Sequence, residues 1–188
     1  LQTLLKKFPE KIPISFVDEI MAKTSVLAVP LQTVNAVSQP LMTQQGDGKK
    51  PIKIIWNHRW EYDKGPDILL AIIEQLADAG QAIEFNVVGQ QFRQSPVAFS
   101  AIKQTIERSP TIMLGRWGFI QSKTDYQQLL AECDVVLSTA LHDFQGLSVL
   151  EAVQAGCIPL LPDHLVYPEI FSSAYLYRCD GEPKAIAK

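Results

Sequence analysis

Ile52-Lys53-Ile54-Ile55-Trp56, a polar loop, then Pro66 with Ile68, Leu69, Ile72, Ile73 and Leu76 behind it, then Ile83-Glu84-Phe85-Asn86-Val87-Val88-Gly89: this stretch decides the fold. The first run is short, apolar and bounded by polar residues, which is the pattern of a buried strand. Pro66 suits a first helical position, where a backbone N–H is not needed. The aliphatic residues behind it recur at helical spacing and share one face, and Gly80 is placed to end that helix. The third run is another buried strand, stopped by Gly89. Strand, helix and strand in this order form a parallel βαβ unit.

The same alternation continues toward the C-terminus. The spacing predicts a helix near 97–107 and a short strand over 111–114. Ser122 with Asp125 three residues on reads as a capping box before Tyr126, Leu129 and Leu130. A strand over 134–137, a helix over 147–155 closed by Gly156, and a strand over 158–161 complete the series. The fold class is α/β, a doubly wound parallel sheet. Ligands of such sheets lie beyond the carboxyl ends of the strands, so the loops after Trp56, Val88, Leu114, Leu137 and Leu161 are the places to look. Toward the N-terminus the texture differs. Residues 1–30 carry a helix-like stretch and the apolar run Val26-Leu27-Ala28-Val29, closed by Pro30. Residues 31–50 read as a linker, with Gln39-Pro40 and Gln44-Gln45-Gly46-Asp47-Gly48 favouring turns. The packed domain is expected over 51–188, and no repeat of fixed period is present.

The chain has 188 residues, long enough for a real core without disulfides or metals. Hydrophobic residues make up 47% and charged residues 20%, which excludes disorder for the bulk of the chain. A net charge of −3 argues against nucleic-acid binding through bulk positive charge. No apolar run is long enough to span a bilayer, and the first residues alternate apolar and charged side chains, unlike a signal peptide. Cys133, Cys157 and Cys179 form no CxxC pair, and His58, His142 and His164 lack metal-pair spacing. These features predict reduced cysteines, a cytoplasmic protein and no metal site.

Two loops carry the candidate chemistry. The loop Asn57-His58-Arg59-Trp60-Glu61-Tyr62-Asp63-Lys64-Gly65 puts two cations, Arg59 and Lys64, just before a helix. A guanidinium takes two oxygens at once, an ammonium acts as a point charge, and a helix N-terminus adds positive potential, so the set fits a diphosphate. The other reading is a solvated loop in which both cations pair with Glu61 and Asp63. The second loop, Ser138-Thr139-Ala140-Leu141-His142-Asp143-Phe144-Gln145-Gly146, leads into the helix containing Glu151. Gly146 permits close backbone approach, and the helix start favours an anion. Asp143 and Glu151 either accept hydroxyls of a ribose or hexose, or serve as a turn residue and an exposed helix residue. Gly89 ends its strand without a GxGxxG fingerprint. Gly115-Arg116-Trp117-Gly118-Phe119 is either a base-stacking wall or a tight turn that packs Trp117 inward. Glu169, after the last core strand, faces a ligand or caps a short helix.

Taken in order, Arg59-x4-Lys64-Gly65 after a strand, Gly89 after the next strand, and Asp143-x2-Gly146-x4-Glu151-Ala152 resemble the donor-binding domain of retaining GT-B glycosyltransferases of the group 1 type. The resemblance covers roughly residues 25–177. It implies the Rossmann-like C-terminal half of a GT-B fold. Residues 1–30 would be the end of the N-terminal, acceptor-binding domain, and the helix at 183–188 would be cut short. It also implies roles: Arg59 and Lys64 at the donor diphosphate, Glu151 at the ribose, Asp143 at the transferred sugar, and Gly89, Gly146, Leu147 and Ser148 around the phosphates and sugar. No metal or cofactor is implied beyond the nucleotide-sugar donor. The phrases 56–64, 115–119 and 165–171 are similar to the branch of the family that mannosylates queuosine in tRNA. That likeness implies GDP-mannose as donor and tRNA as acceptor, bound mainly by the N-terminal domain. Asp143 departs from the family's usual Glu by one methylene, and His58 stands where many members have Gly. The readings set against this one are a non-catalytic nucleotide or sugar-phosphate binding module, and a nucleotide-sugar epimerase of the same overall fold. On the half-enzyme reading, the isolated chain binds donor but transfers no sugar.

Overall fold

The computed structural model describes residues 15–31 and 50–178. The chain divides after Pro30 into two compact units. In the first, α1 (Ser15–Ala22) is the only element among the described residues. The run from Val26 to Val29 forms no strand, and Val26 is 96% exposed.

The second unit is one six-stranded sheet. Its elements in chain order are β1 (Ile52–Trp56), α2 (Pro66–Ala79), β2 (Ile83–Val88), α3 (Ala98–Arg108), β3 (Ile112–Gly118), α4 (Lys123–Glu132), β4 (Val135–Leu137), α5 (Leu147–Ala155), β5 (Ile158–Pro162), α6 (Tyr167–Ile170) and β6 (Leu176–Tyr177). The strand order is β3-β2-β1-β4-β5-β6, with every pairing parallel. The order reverses between β1 and β4, and that is the switch point of the sheet.

The apolar runs of β1 and β2 follow from burial on both faces. Ile54 and Trp56 enter one core with Phe85 and Val87 of β2, under Leu69, Ile72 and Ile73 of α2 and Ile102 and Ile106 of α3. Ile55 and Val88 enter the opposite core with Val136, under Leu129 and Leu130 of α4 and Val149 and Ala152 of α5. A strand covered on both sides shows a continuous apolar run instead of an alternating one.

Within residues 51–178 the predicted strands and helices are present, with boundary shifts. Ser122 caps α4, its hydroxyl accepting from the Asp125 N–H at 3.2 Å. The largest departure is β3, which runs through the Gly115-Arg116-Trp117-Gly118 phrase instead of ending before it. The cause is a bulge: Phe85 pairs with Leu114 and Val87 with Trp117, so Asn86 alone opposes Gly115 and Arg116. The buried Asn86 side chain fills the gap and accepts from the Arg116 N–H at 2.7 Å. Trp117 meets Trp60 edge-on at 4.9 Å between ring centroids, so it is a packing residue. Cys133 and Cys157 are buried free thiols, both pushed up by that burial, Cys157 to about 12. The linker at 32–49, the helix expected at 183–188, and Cys179 lie outside the described residues.

Candidate functional site

A cleft of about 340 Å³ opens beyond the carboxyl ends of β1 and β4, at the switch point. Its lining includes Arg59, Lys64, Asp143, Gly146, Leu147 and Ser148. Six positions singled out from the sequence therefore meet at one place.

The β1 loop folds as a 3-10 turn over Tyr62–Lys64 and docks on the β4 loop. The Leu141 and His142 N–H groups both donate to the Asp63 carbonyl, at 2.8 and 3.0 Å. Trp56 Nε1 donates to Thr139 Oγ1 at 2.9 Å, and that hydroxyl donates to the Lys64 carbonyl at 2.8 Å. Gly65 sits between turn and helix with φ of 63°, and a Cβ there would overlap the Thr139 carbonyl oxygen. Only glycine permits both the left-handed backbone and this close approach.

The docking buries the Lys64 ammonium. It donates to the His142 carbonyl at 2.5 Å and lies 3.4 Å from Asp63 and 3.9 Å from Asp143. Arg59 is placed differently. Its side chain is 52% exposed and pairs with Glu61 at 2.8 Å, with Asp63 at 4.0 Å. Both cations thus hold the acidic partners that the loop itself supplies, and both still line the cleft.

Asp143 is held by both oxygens. Oδ1 accepts from the Gly146 N–H at 3.1 Å, and Oδ2 accepts from the Tyr167 hydroxyl at 3.0 Å. Burial alone would raise its carboxyl, but Lys64, the Gly146 N–H and Tyr167 outweigh that and hold it below the usual carboxylate range. Gly146, with φ of 62°, turns the chain into α5, which has no side-chain cap. The N-terminus of α5, with Gly146, Leu147 and Ser148 in the cleft lining, is a place that favours an anion.

Two of the residues given roles by the resemblance stand outside the lining. Gly89 lies behind it: a Cβ there would overlap the His58 carbonyl oxygen, and the Gly89 N–H donates to the Gly118 carbonyl at 3.2 Å. Its contact with the cleft is through the His58 backbone. Glu151 stands one turn into α5, half-buried, within 3.5 Å of the Tyr126 hydroxyl. Glu169 is exposed on α6 and away from the cleft lining.

Four residues that the sequence placed only within the motif phrases, with no role of their own, support the site. Asn57 donates through Nδ2 to the Ser148 carbonyl at 2.7 Å and to the Tyr126 hydroxyl at 2.9 Å, tying β1 to α5 and α4. Its Oδ1 is buried with no partner among the described residues. Ser138 and Tyr167 form a buried pair at 2.9 Å, and His58 Nε2 lies 3.0 Å from the Ser138 hydroxyl. Burial, with Lys64 nearby, lowers the His58 imidazole to about 4 against the opposing pull of Asp143 and Asp63. His58 is therefore a neutral, inward-facing residue and adds no cation to the cleft. Asn57 and Ser138 lie just past strand ends and Tyr167 opens α6 in the loop region after β5, so loop position and the motif phrases were the signals available in the sequence.

Comparison with known proteins agrees with this architecture. Residues 38–188 match the family described as "Glycosyl transferases group 1". The chain belongs to that family, and it has the α/β fold of GT-B C-terminal, donor-binding domains. Two solved structures share the fold. The catalytic domain of cholesterol-alpha-glucosyltransferase from Helicobacter pylori superposes with a TM-score of 0.57 at 17% identity, over 73% of this chain and 82% of that one. The C-terminal domain of a glycosyl transferase group 1 family protein (LpcC) from Francisella tularensis gives 0.56 at 19% identity, over 72% of this chain and 71% of that one. Among curated relatives, the tRNA-queuosine alpha-mannosyltransferase of Drosophila melanogaster is 35% identical over 129 residues. Those residues are 69% of this chain, which spans about a third of the fly protein, 33% of its length.

Proposed function

We propose that this chain binds a nucleotide sugar for a retaining, metal-independent glycosyl transfer. The observation that carries the reading is the meeting of Arg59, Lys64, Asp143 and the N-terminus of α5 on one cleft at the switch point. Arg59 exchanges its carboxylate partners for diphosphate oxygens. Lys64, already held at its place, supplies fixed positive charge. As the bond from the anomeric carbon to the diphosphate oxygen breaks, the electron pair leaves with the diphosphate, and these cations and N–H groups stabilise the developing charge. Two cations and a helix terminus serve in place of a metal ion. Glu151, steadied by Tyr126, accepts the ribose hydroxyls, and Asp143 accepts hydroxyls of the transferred hexose. Gly89 keeps the β2 loop close behind His58.

The 35% identity to the fly enzyme, with the aromatic phrases around Trp56, Trp117 and Tyr167, supports GDP-mannose as donor and queuosine in tRNA as acceptor. On this reading the acceptor is held mainly by an N-terminal domain, of which residues 1–30 are the end and 31–50 the connection. The protein works in the cytoplasm. No helix among the described residues is long and apolar enough to cross a membrane.

The test is a panel of GDP-, UDP- and ADP-sugars scored by thermal shift, because a ligand that binds only the native state raises its stability by mass action. A rise with GDP-mannose well above the others supports the reading. A panel with no shift at ligand concentrations far above physiological levels refutes nucleotide-sugar binding.

A further inference from the structure

We propose that Tyr167 is a positioning residue that aims Asp143 at the sugar half of the donor, at the end of a one-way chain of hydrogen bonds that starts at His58. The proposal rests on the donor-site reading above and assigns a task to residues that reading leaves unused.

The direction of the chain follows from counting hydrogens. The Tyr167 hydroxyl has one hydrogen, and it goes to Asp143 Oδ2, an acceptor, at 3.0 Å. The 2.9 Å contact between Tyr167 and Ser138 must then use the Ser138 hydrogen. With that hydrogen spent, the 3.0 Å contact between His58 and Ser138 requires His58 Nε2 to carry the proton. The sequence is Nε2–H of His58 to Ser138, Ser138 to Tyr167, Tyr167 to the carboxylate. Donors aligned head to tail polarise one another and strengthen the last bond, here the one to an anion.

Geometry gives this a purpose. Asp143 sits between an ammonium at 3.9 Å and the cleft. Left to itself, a flexible carboxylate would close onto Lys64 and neutralise the cation the diphosphate needs. Tyr167 holds Oδ2, the Gly146 N–H holds Oδ1, and each oxygen keeps a lone pair for a sugar hydroxyl. Tyr167 is fully buried, and its ring also packs beneath Gly146, where an added Cβ would come within 3.0 Å of it. The chain reaches this position through Leu165, whose φ of 63° is the only positive value for a non-glycine residue among the described residues. A leucine persists in that conformation only where the surroundings fix it. The Tyr177 hydroxyl donates to the Ser138 carbonyl at 2.8 Å, which holds the middle of the chain in register.

The test compares a nucleotide with its sugar conjugate, using the full chain and titration calorimetry. The pairs are GDP with GDP-mannose and UDP with UDP-glucose. Tyr167→Phe keeps the ring and removes the hydroxyl. Expected is a roughly five- to tenfold loss for the sugar conjugate, the size of one such bond, with the bare nucleotide unchanged. Asp143→Asn should lower affinity for the conjugate relative to the bare nucleotide, and adding Tyr167→Phe to it should cost nothing further, because the tyrosine acts through the carboxylate. Ser138→Ala, which leaves the aromatic ring in place, should give a smaller loss confined to the conjugate, and it serves if the tyrosine variant does not fold. Equal loss for nucleotide and conjugate, no loss, or additive effects in the double variant would overturn the positioning role while leaving the donor site standing. A native chain that binds neither member of either pair removes the donor reading itself, and the positioning role with it.

Discussion

The Lys64 ammonium donates to the carbonyl oxygen of His142 at 2.5 Å, although the two residues are 78 positions apart in the chain. This bond joins the loop after β1 to the loop after β4 at the point where the sheet changes direction. It places a buried positive charge against the half-buried Asp143 carboxylate. Lys64 is therefore a joint of the fold as well as a cleft cation, and the two loops hold each other in place.

Replacing Lys64 should show both roles. Lys64→Met keeps the length and removes the charge, leaving Asp143 without its cation. Expected is a loss of about 1–3 kcal/mol of folding stability, the range for a hydrogen-bonding group left without its partner. Nucleoside-diphosphate affinity should fall by about 1.5–3 kcal/mol. Urea unfolding and calorimetry measure the two. Unchanged stability would mean that the ammonium does not join the loops.

Arg59→Ala should separate the roles. Its pairs with Glu61 and Asp63 face solvent, and such pairs add little to stability. The melting temperature should stay within error of the native value while diphosphate affinity drops roughly tenfold, as for one charge-assisted contact. Affinity equal to the native chain's would return Arg59 to the status of a surface residue.

Glu151→Gln keeps the shape but offers a weaker acceptor. Ribonucleotide affinity should fall, and the 2′,3′-dideoxy nucleotide should bind the variant and the native chain nearly alike. If both nucleotides lose equally, Glu151 supports α5 through Tyr126 and does not bind the ribose.

Acid should weaken the fold in a window set by His58. Its imidazole is lowered from the ordinary 6.5 to about 4, by burial first and Lys64 second. Between those values the unfolded chain binds more protons than the native one, so stability is full above 6.5 and is lost as pH falls toward 4. Asp143, held below the usual carboxylate range, acts with the same sign at still lower pH. His58→Gln keeps an N–H donor for Ser138 but does not titrate. Its melting temperature should fall less than the native chain's between pH 7 and pH 5. Parallel curves would show that His58 is not the group being protonated.

Binding of the donor nucleotide by this chain should survive EDTA, and the chain alone should transfer no sugar. Holding the acceptor hydroxyl against the anomeric carbon is worth roughly 7–11 kcal/mol of barrier, and on the proposed division of labour another domain supplies it. Loss of binding in EDTA would bring in a metal. Acceptor-dependent turnover by these 188 residues would end the half-enzyme reading.

The sequence by itself determined the sheet and the family. Apolar runs such as that around Ile55 are legible because burial on both faces leaves no alternation, and the starts and stops at Pro66, Gly80 and Gly156 are backbone chemistry written locally. Arg59, Lys64, Asp143 and Gly146 were legible because strand ends in a doubly wound sheet converge on one edge. Tertiary structure alone decided what those side chains face. That His58 turns inward to Ser138, that Tyr167 reaches Asp143, that Asn57 spans to Ser148, and that Asn86 fills a bulge opposite Gly115 are pairings across distant segments. Each depends on which loops pack together and how deeply they are buried, and no local pattern of residues encodes that. The same holds for charge: Lys64 and Arg59 read alike in the sequence, and only docking against Thr139 and His142 makes one a buried joint and the other a half-exposed cation.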